Sequence, residues 1–177
     1  MTRKRTALRW LTAILIFCTW SGLTVAKSRT VSAVIPWQGT GKIDSNGTDK
    51  LRFQGTIEGI MYVETAEGPL NEAFVKCQIV QDLDVTTEST SVTGDCTIVV
   101  STEDSVVAKL SCRGMQGYCV GEFTLTGGTG SYIGISGSGK LTARSPVQTL
   151  TLGQSENDEL QIYVGILQIP ELNIEQP

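Results

Sequence analysis

Residues Phe123–Arg144 read FTLTGGTGSYIGISGSGKLTAR, and the fold class can be inferred from this segment and its flanks. Two short runs, in which apolar and polar residues alternate, enclose a segment that is dense in glycine. Six of the nineteen glycines of the chain lie between Gly127 and Gly139. Glycine is favoured where the backbone takes a positive φ or approaches another strand closely. This density therefore indicates a connection between two strands in which backbone geometry dictates the sequence.

Part of this segment comes close to a phosphate-binding motif. Gly134–Leu141 reads G-x-x-x-x-G-K-L, one residue short of a P-loop. In a P-loop a Ser or Thr follows the lysine and holds Mg²⁺, and a helix begins there. Here Leu141 occupies the Ser/Thr position, and Lys140–Arg144 alternates with a period of two, which is typical of a strand. We therefore expect no nucleotide site and no cofactor.

The same segment resembles a motif of the allene oxide cyclase-like β-barrels, a family that includes plant dirigent proteins and several uncharacterised bacterial groups. The residues that carry the resemblance are Gly127, Gly128, Thr129, Gly130, Tyr132 and Gly134, in the pattern G-G-[TS]-G-x-[FY]-x-G. The resemblance implies that the segment links two neighbouring barrel strands, with Tyr132 packed beneath the turn. No motif outside the segment matches, so no catalytic residue of the plant enzymes is carried over.

The first 26 residues have the features of a signal peptide. Four basic residues precede an apolar run at Leu11–Leu23, and small residues precede a cleavage point after Ala26. The run is short for a transmembrane helix, which needs about 20 residues; an uncleaved anchor is the alternative. Cys18 would be removed with the peptide. We expect a single domain over residues 27–177, secreted or periplasmic, with no membrane contact after cleavage.

Charge and composition exclude several classes of function. Removing the signal peptide leaves ten basic and eighteen acidic residues, a formal net charge of −8. An acidic chain without a basic cluster is a poor match for nucleic acid or an anionic membrane. The chain has no histidine, which removes the commonest general base and excludes Ser–His and Cys–His nucleophiles. This argues against an enzyme, although a carboxylate pair could still act, as in glycoside hydrolysis.

Alternating apolar positions continue through most of the chain. They include Phe53, Ile57, Met61, Val63, Val75, Ile79, Ile98, Val106, Ala108, Leu110, Phe123 and Leu125. Repeated short strands with polar turns predict an all-β antiparallel meander, which we expect to close into a single barrel of roughly eight strands.

The ends of this meander are less regular. We expect a frayed lead-in up to Ser32, a first strand at Val31–Trp37, a loop at Gly39–Asp49 and a further strand at Val147–Leu152. A last strand from Leu160 should end at Pro170, before a loose tail. Its second face is also partly apolar, which suggests a covered strand or a contact with a second subunit in a homo-oligomer.

The cysteines constrain the pairing of strands. Those that follow the signal peptide all fall on apolar faces: Cys77, Cys96, Cys112 and Cys119. An even number in an exported chain implies disulfides, with three connectivities possible. Cys77–Cys96 with Cys112–Cys119 is favoured, because the midpoints lie in turns near Thr86 and Met115. Cys96–Cys112 with Cys77–Cys119 remains open, with a midpoint at Asp104. A zinc site lacks the paired C-x₂₋₄-C spacing, so no metal is expected.

Three hypotheses for function follow. The favoured one is a non-catalytic exported barrel that binds a small apolar ligand or a protein partner. The family resemblance implies the second, an enzyme that guides cyclisation or coupling by shaping a cavity that contains one or two carboxylates or tyrosines. The third is a structural, self-associating protein of the cell envelope.

Two groups of side chains are candidates for roles in such a barrel. The aromatic residues Trp37, Tyr62, Tyr118 and Tyr132 could line a barrel mouth, although Tyr132 is better explained by packing in the glycine turn. The acidic residues Asp82, Asp84, Glu103 and Asp104 are interpreted as solubilising charges.

Overall fold

The computed structural model describes residues 27–45, 49–146 and 161–176 as eight strands and one short 3₁₀ turn. The strands are β1 Lys27–Ser45, β2 Lys50–Val63, β3 Ala73–Asp84, β4 Ser89–Val99, β5 Ser105–Met115, β6 Tyr118–Gly128, β7 Ser136–Arg144 and β8 Gln161–Gln176, and the turn is Gly130–Tyr132. Each strand pairs antiparallel with the next, and β8 pairs with β1. The predicted all-β meander, closed into one eight-stranded barrel, is confirmed.

Some predictions concern residues outside the described ranges. The signal peptide and the strand at Val147–Leu152 lie outside the described residues, and they stay predictions. Within the described part of the chain, no helix has the length and apolar character needed to cross a bilayer.

Side-chain alternation gives the barrel its core, as the periodicity predicted. Odd-numbered residues of β2 and β3 point inward, as Met61 and Val75 do, and even-numbered residues of β4 and β5 do so, as Ile98 and Val106 do. Phe123 on β6 is completely buried. Because successive side chains of a strand alternate between its faces, the apolar set of every strand lies inside.

The first strand is longer than predicted at both ends. It begins at Lys27, where it pairs with the end of β8, and it runs on to Ser45. The predicted loop at Gly39–Asp49 is therefore wrong as far as Ser45. The glycines in this stretch make room for a side chain: a Cβ at Gly41 would lie 2.6 Å from the ring of Phe53 on β2. They admit a large neighbour and do not end the strand.

Strand β8 also continues past its predicted end. The pairing with β1 shifts by one residue between Ile169 and Leu172, which marks a bulge around Pro170. A bulge tolerates proline, which has no N–H to donate. Beyond it Leu172 and Ile174 are buried, so the expected loose tail is wrong for residues 171–176. Before the bulge the inward face is the one that carries Leu167, which the sequence presented as the second face.

Two disulfides join neighbouring strands in the favoured connectivity. Cys77 on β3 lies directly opposite Cys96 on β4, and the two are bonded. Cys112 and Cys119 are bonded across the hairpin of β5 and β6. All four are buried within the core. The bonds therefore tie together two consecutive pairs of strands from inside the barrel.

Candidate functional site

The interior of the barrel is filled at one end and hollow at the other. The filled end lies where β2, β4 and β6 finish, near the glycine-rich turn, and its fully buried side chains include Ile35, Met61, Ile98, Phe123 and Ile174. At the opposite end, where β2, β4, β6 and β8 begin, there is a cavity of about 270 Å³, which we call the mouth cavity. Sequence periodicity predicted which side chains point inward, but it could not predict which end of the barrel is filled and which is hollow.

Apolar side chains form most of the wall of the mouth cavity. Its aromatic members are Trp37, Phe53, Tyr118 and Tyr163, and its aliphatic members include Ile57, Ile79 and Leu110. Phe53 and Tyr163 meet edge to face, with ring centroids 5.0 Å apart. Such pairs are more favourable than area burial alone gives. The wall is therefore fixed on the side formed by β8, β1 and β2.

Register places Trp37 against this wall. It pairs with Gly59 on β2 and with Gly165 on β8. A Cβ at Gly165 would lie 2.7 Å from Cε2 of the indole, so the ring occupies the space that a side chain there would need. Because Gly165 has no side chain, the neighbouring strand leaves room for the indole of Trp37 inside the barrel.

The indole nitrogen of Trp37 is a buried donor. Nε1 is shielded from solvent and has no hydrogen-bond partner among the described residues. Buried polar groups in proteins nearly always have a partner, so each exception calls for an explanation. The site thus contains a donor whose acceptor is not part of the described structure.

A second polar feature lies on β3 and β4. The amide Nε2 of Gln81 donates to Oγ1 of Thr90 at 2.9 Å, and the hydroxyl of Thr90 donates to the backbone carbonyl of Asp82 at 3.3 Å. Thr90 is the buried polar residue of the described core. Both side chains line the mouth cavity, and their mutual bond satisfies the groups that burial would otherwise leave unpaired.

The rim carries the charge of the site. Arg144 is exposed at the end of β7, and its guanidinium carbon lies 5.8 Å from the ring centroid of Tyr118 at the start of β6. This distance is within the range of a cation–π contact. Among the described lining residues Arg144 is the only charged one, and none is an aspartate or glutamate. Both side chains have the outward register of their strands, so this contact lies at the outer edge of the opening.

The structure separates the aromatic candidates predicted for a barrel mouth. Trp37 and Tyr118 do line the mouth cavity. Tyr62 is on the outer surface, half exposed, because it has the outward register of β2. Tyr132 lies at the opposite end, half-buried against the core. Phe53, Tyr163 and Arg144 were missed as site residues; the inward register of Phe53 could be read from the sequence, but its depth in the barrel could not.

The glycine-rich segment forms the turn between β6 and β7, and an acidic side chain of another turn holds it. The backbone N–H of Ser131 donates to Oδ1 of Asp104 at 2.7 Å. Gly130 has a φ of +55°, and a Cβ there would overlap the same carboxylate oxygen. The bond from Ser131 lowers the pKa of Asp104 below its usual value, with further help from Ser101. Asp104 is thus a structural group and more than a solubilising charge.

Two other carboxylates predicted as solubilising are also bonded. Asp82 accepts from Arg52 at 2.7 Å across β2 and β3, and this bond lowers the pKa of Asp82. Asp84 accepts from the backbone N–H groups of Thr87 and Thr86, which lowers its pKa as well. All three aspartates lie outside the mouth cavity. In the described part of the chain, no cluster of Cys, Asp or Glu could hold a metal ion.

An apolar row crosses the outer surface. On the outside of the barrel Pro36 pairs with Ile166 of β8, Ile60 pairs with Phe74, and Phe74 pairs with Val99. Phe74 and Val99 are 39% and 40% exposed. The row includes Ile166 on the outward face of β8, whereas the second face of that strand, for which the sequence suggested a covered strand or a subunit contact, points inward. A homo-oligomer stays a prediction.

Comparisons with known proteins do not place this chain in a family. No protein-family model matches the chain, and no curated protein matches it. The solved structure of the pterocarpan synthase dirigent protein GePTS1 is similar to this chain with a TM-score of 0.38 and 13% identity, over 85% of this chain and 87% of that one. The barrel itself is established by the strand pairing described above.

Proposed function

We propose that this protein is a non-catalytic binding module that takes one small, mainly apolar molecule into the mouth cavity. The observation that carries the proposal is the contrast between the two halves of the barrel. One half is filled to full burial, and the other encloses about 270 Å³ behind aromatic walls. Small barrels usually fill their interior with side chains, and empty space in a core costs stability. A cavity with this apolar, aromatic lining is best explained by an occupant.

The size of the cavity bounds the ligand. An apolar cavity of about 150 Å³ accepts benzene. By proportion, about 270 Å³ accommodates roughly ten non-hydrogen atoms. This favours a single short-chain or single-ring compound over a lipid with long acyl chains.

Export to a secreted or periplasmic location belongs to the same proposal. The two disulfides support it, because such bonds persist in oxidising compartments. The predicted signal peptide agrees with it.

A cavity-filling variant tests the binding function. Val92 lies on β4 in the cavity wall, and Val120 lies on the outer face of β6. Val92→Phe should abolish ligand-induced thermal shifts across a library of small apolar compounds, and Val120→Phe is the matched control on the outside. Native mass spectrometry should show a one-to-one complex only when the cavity is open. If no compound binds to the wild-type protein by either method, the proposal is wrong.

The alternative of guided cyclisation or coupling keeps one supporting observation. Tyr118 and Tyr163 line the cavity, as that hypothesis required, but no carboxylate does so among the described lining residues. Conversion of a bound compound to a new product, seen by mass spectrometry and lost in Val92→Phe, would favour this alternative over simple binding. Self-association through the outer apolar row is the third possibility, and light scattering tests it.

A further inference from the structure

We infer that the mouth cavity selects an uncharged molecule whose apolar body carries one head group with both a hydrogen-bond donor and an acceptor, such as an amide or a hydroxyl. Gln81 of β3 is the residue that recognises this head group. The inference rests on the proposed binding function and adds the chemical class of the ligand. Its supports are the inward position of Gln81, the bond that orients its amide, and the lack of inward charge in the described wall.

Gln81 is a polar side chain in an inward position. It pairs with Phe53 on β2 and with Val92 on β4, and all three line the mouth cavity. Two positions away along β3, on either side of Gln81, Ile79 and Leu83 belong to the cavity wall as well. An amide in such apolar surroundings costs free energy unless it has partners. A polar residue at this place in the wall is therefore best explained by a polar group that it meets there.

Thr90 fixes the orientation of the amide. The hydroxyl of Thr90 donates to the backbone carbonyl of Asp82, so it acts as an acceptor towards Gln81, whose Nε2 donates to it at 2.9 Å. A side-chain amide has two protons on its nitrogen and two lone pairs on its oxygen. The bond to Thr90 uses one of the two protons. The second proton and Oε1 of Gln81 remain for another partner.

These remaining groups are open to a ligand. Within the described chain the amide of Gln81 bonds only to Thr90. Oε1 of Gln81 is nevertheless not among the described side-chain atoms that are shielded from solvent and have no partner. The oxygen is therefore accessible, and the side chain lines the cavity. Gln81 thus offers an acceptor and a donor, a few ångströms apart on one rigidly held amide, to a molecule in the cavity.

The described wall suits an uncharged ligand. A buried ion needs an opposite charge or several hydrogen bonds to offset its lost hydration. The charged side chain of the described lining is Arg144, which has the outward register of β7 and is exposed. A carboxylate or an ammonium group beside Gln81 would therefore have no counter-ion from the described wall. An amide or a hydroxyl can donate to Oε1 and accept the second amide proton without one.

Benzamide, cumene and benzoate test the head group, because all three carry a forked substituent of the same outline on one ring. Their size matches the ligand that the cavity volume indicates. Calorimetry with the full-length protein should show that benzamide binds about tenfold more tightly than benzoate, or better. Benzamide should also shift the side-chain amide proton resonances of Gln81, which are assigned by their loss in Gln81→Met.

Gln81→Met tests the proposed contact itself. Methionine keeps the length of the side chain and removes its hydrogen bonds, so the affinity for benzamide should fall about five- to tenfold. The affinity for cumene, which makes no hydrogen bond, should not fall. Gln54→Met, on the outer face of β2, is the matched control and should leave both affinities unchanged.

Thr90 is a positioning residue, and two variants separate its hydroxyl from its packing. Thr90→Val keeps the shape and removes the acceptor that orients Gln81, so the affinity for benzamide should fall about two- to fivefold, with no change for cumene. Thr90→Ser keeps the hydroxyl and should restore the affinity for benzamide. A loss that Thr90→Ser shares would show that packing, and not the bond to Gln81, is what matters.

The outcomes distinguish this inference from the proposed function. If cavity ligands bind equally to wild type and to Gln81→Met, the binding function stands and the role of Gln81 is wrong. Tighter binding of benzoate than of benzamide would overturn the assignment of an uncharged head group, again without touching the binding function. If no probe and no library compound binds, both are wrong.

Discussion

Cys112 of β5 lies directly opposite Gly121 of β6, yet its sulfur is bonded to Cys119, two positions away along the strand. Cys119 in turn lies opposite Gly114. A Cβ at Gly121 would lie 2.5 Å from Cα of Cys112 and would overlap the carbonyl oxygen of Ser111. Each glycine therefore makes room for the cysteine across from it, and the diagonal disulfide depends on both.

Replacing one of these glycines should destabilise the barrel. Gly121→Ala forces the backbone of β5 and β6 apart, and overpacking of this kind costs about 1–3 kcal/mol. Gly39→Ala is the matched control, because its Cβ would lie 3.0 Å from the Cγ2 methyl of Ile57 and would otherwise make ordinary contacts, at 3.4 Å with the Trp37 ring and 3.5 Å with the Thr56 carbonyl oxygen. Urea unfolding should give a lower midpoint for Gly121→Ala than for Gly39→Ala. Equal midpoints would contradict the close approach of the strands.

The two disulfides should contribute unequally to stability. The cysteines of the first pair are 19 residues apart, and those of the second are 7 apart. The chain-entropy relation gives about 3 kcal/mol for Cys77–Cys96 and about 2.5 kcal/mol for Cys112–Cys119. Paired alanine variants, compared by thermal unfolding, should both melt at lower temperature, with the larger decrease for Cys77→Ala/Cys96→Ala. Intact mass before and after reduction checks that the remaining bond is intact.

Stability should depend on pH through Asp104. The folded state lowers the pKa of this carboxyl, chiefly through the bond from the Ser131 N–H. Its contribution to stability is therefore present above the ordinary aspartate pKa of about 3.9 and is lost as the pH falls through the lower folded value. Asp104→Asn should be less stable than wild type at pH 7, and this difference should shrink on acidification.

Denaturant midpoints at pH 7, 5 and 3 measure this difference for Asp104→Asn. Asp95→Asn is the matched control on the outer face, where Asp95 lies 4.0 Å from Lys109. A difference between wild type and Asp104→Asn that stays constant over this pH range would show that the charge of Asp104 does not stabilise the turn.

The substitution of Gly130 should be coupled to that of Asp104. Gly130→Ala introduces a Cβ in a left-handed conformation and displaces the carboxylate that holds the turn. When Asp104→Ala is already present, there is no carboxylate to displace, so Gly130→Ala adds only the cost of the left-handed backbone conformation. The double variant should therefore be more stable than the sum of the two single effects implies, with a coupling of about 0.5–3 kcal/mol. Strict additivity in a double-mutant cycle would contradict the contact.

Sequence periodicity predicted the barrel because each inward set, such as Cys96 and Ile98 on β4, follows the two-residue repeat of a strand. Periodicity gave wrong strand ends where glycine and proline lie within a strand. Gly41 leaves room for the ring of Phe53 in the middle of β1, and Pro170 lies in a bulge of β8. The candidate site was only partly predictable. Trp37 and Tyr118 were named for the barrel mouth, but Arg144 reaches the cavity rim from the end of β7, which an alternating pattern does not reveal.

The pairing of Lys27 with Gln176 places both ends of the described barrel side by side, at the filled end. The mouth cavity opens at the other end. An anchor, a fusion partner or a sensor surface attached at either terminus would therefore hold the barrel with its opening turned outward, free to exchange small molecules with the surrounding medium. The protein can be tethered without obstructing the site at which it is proposed to bind.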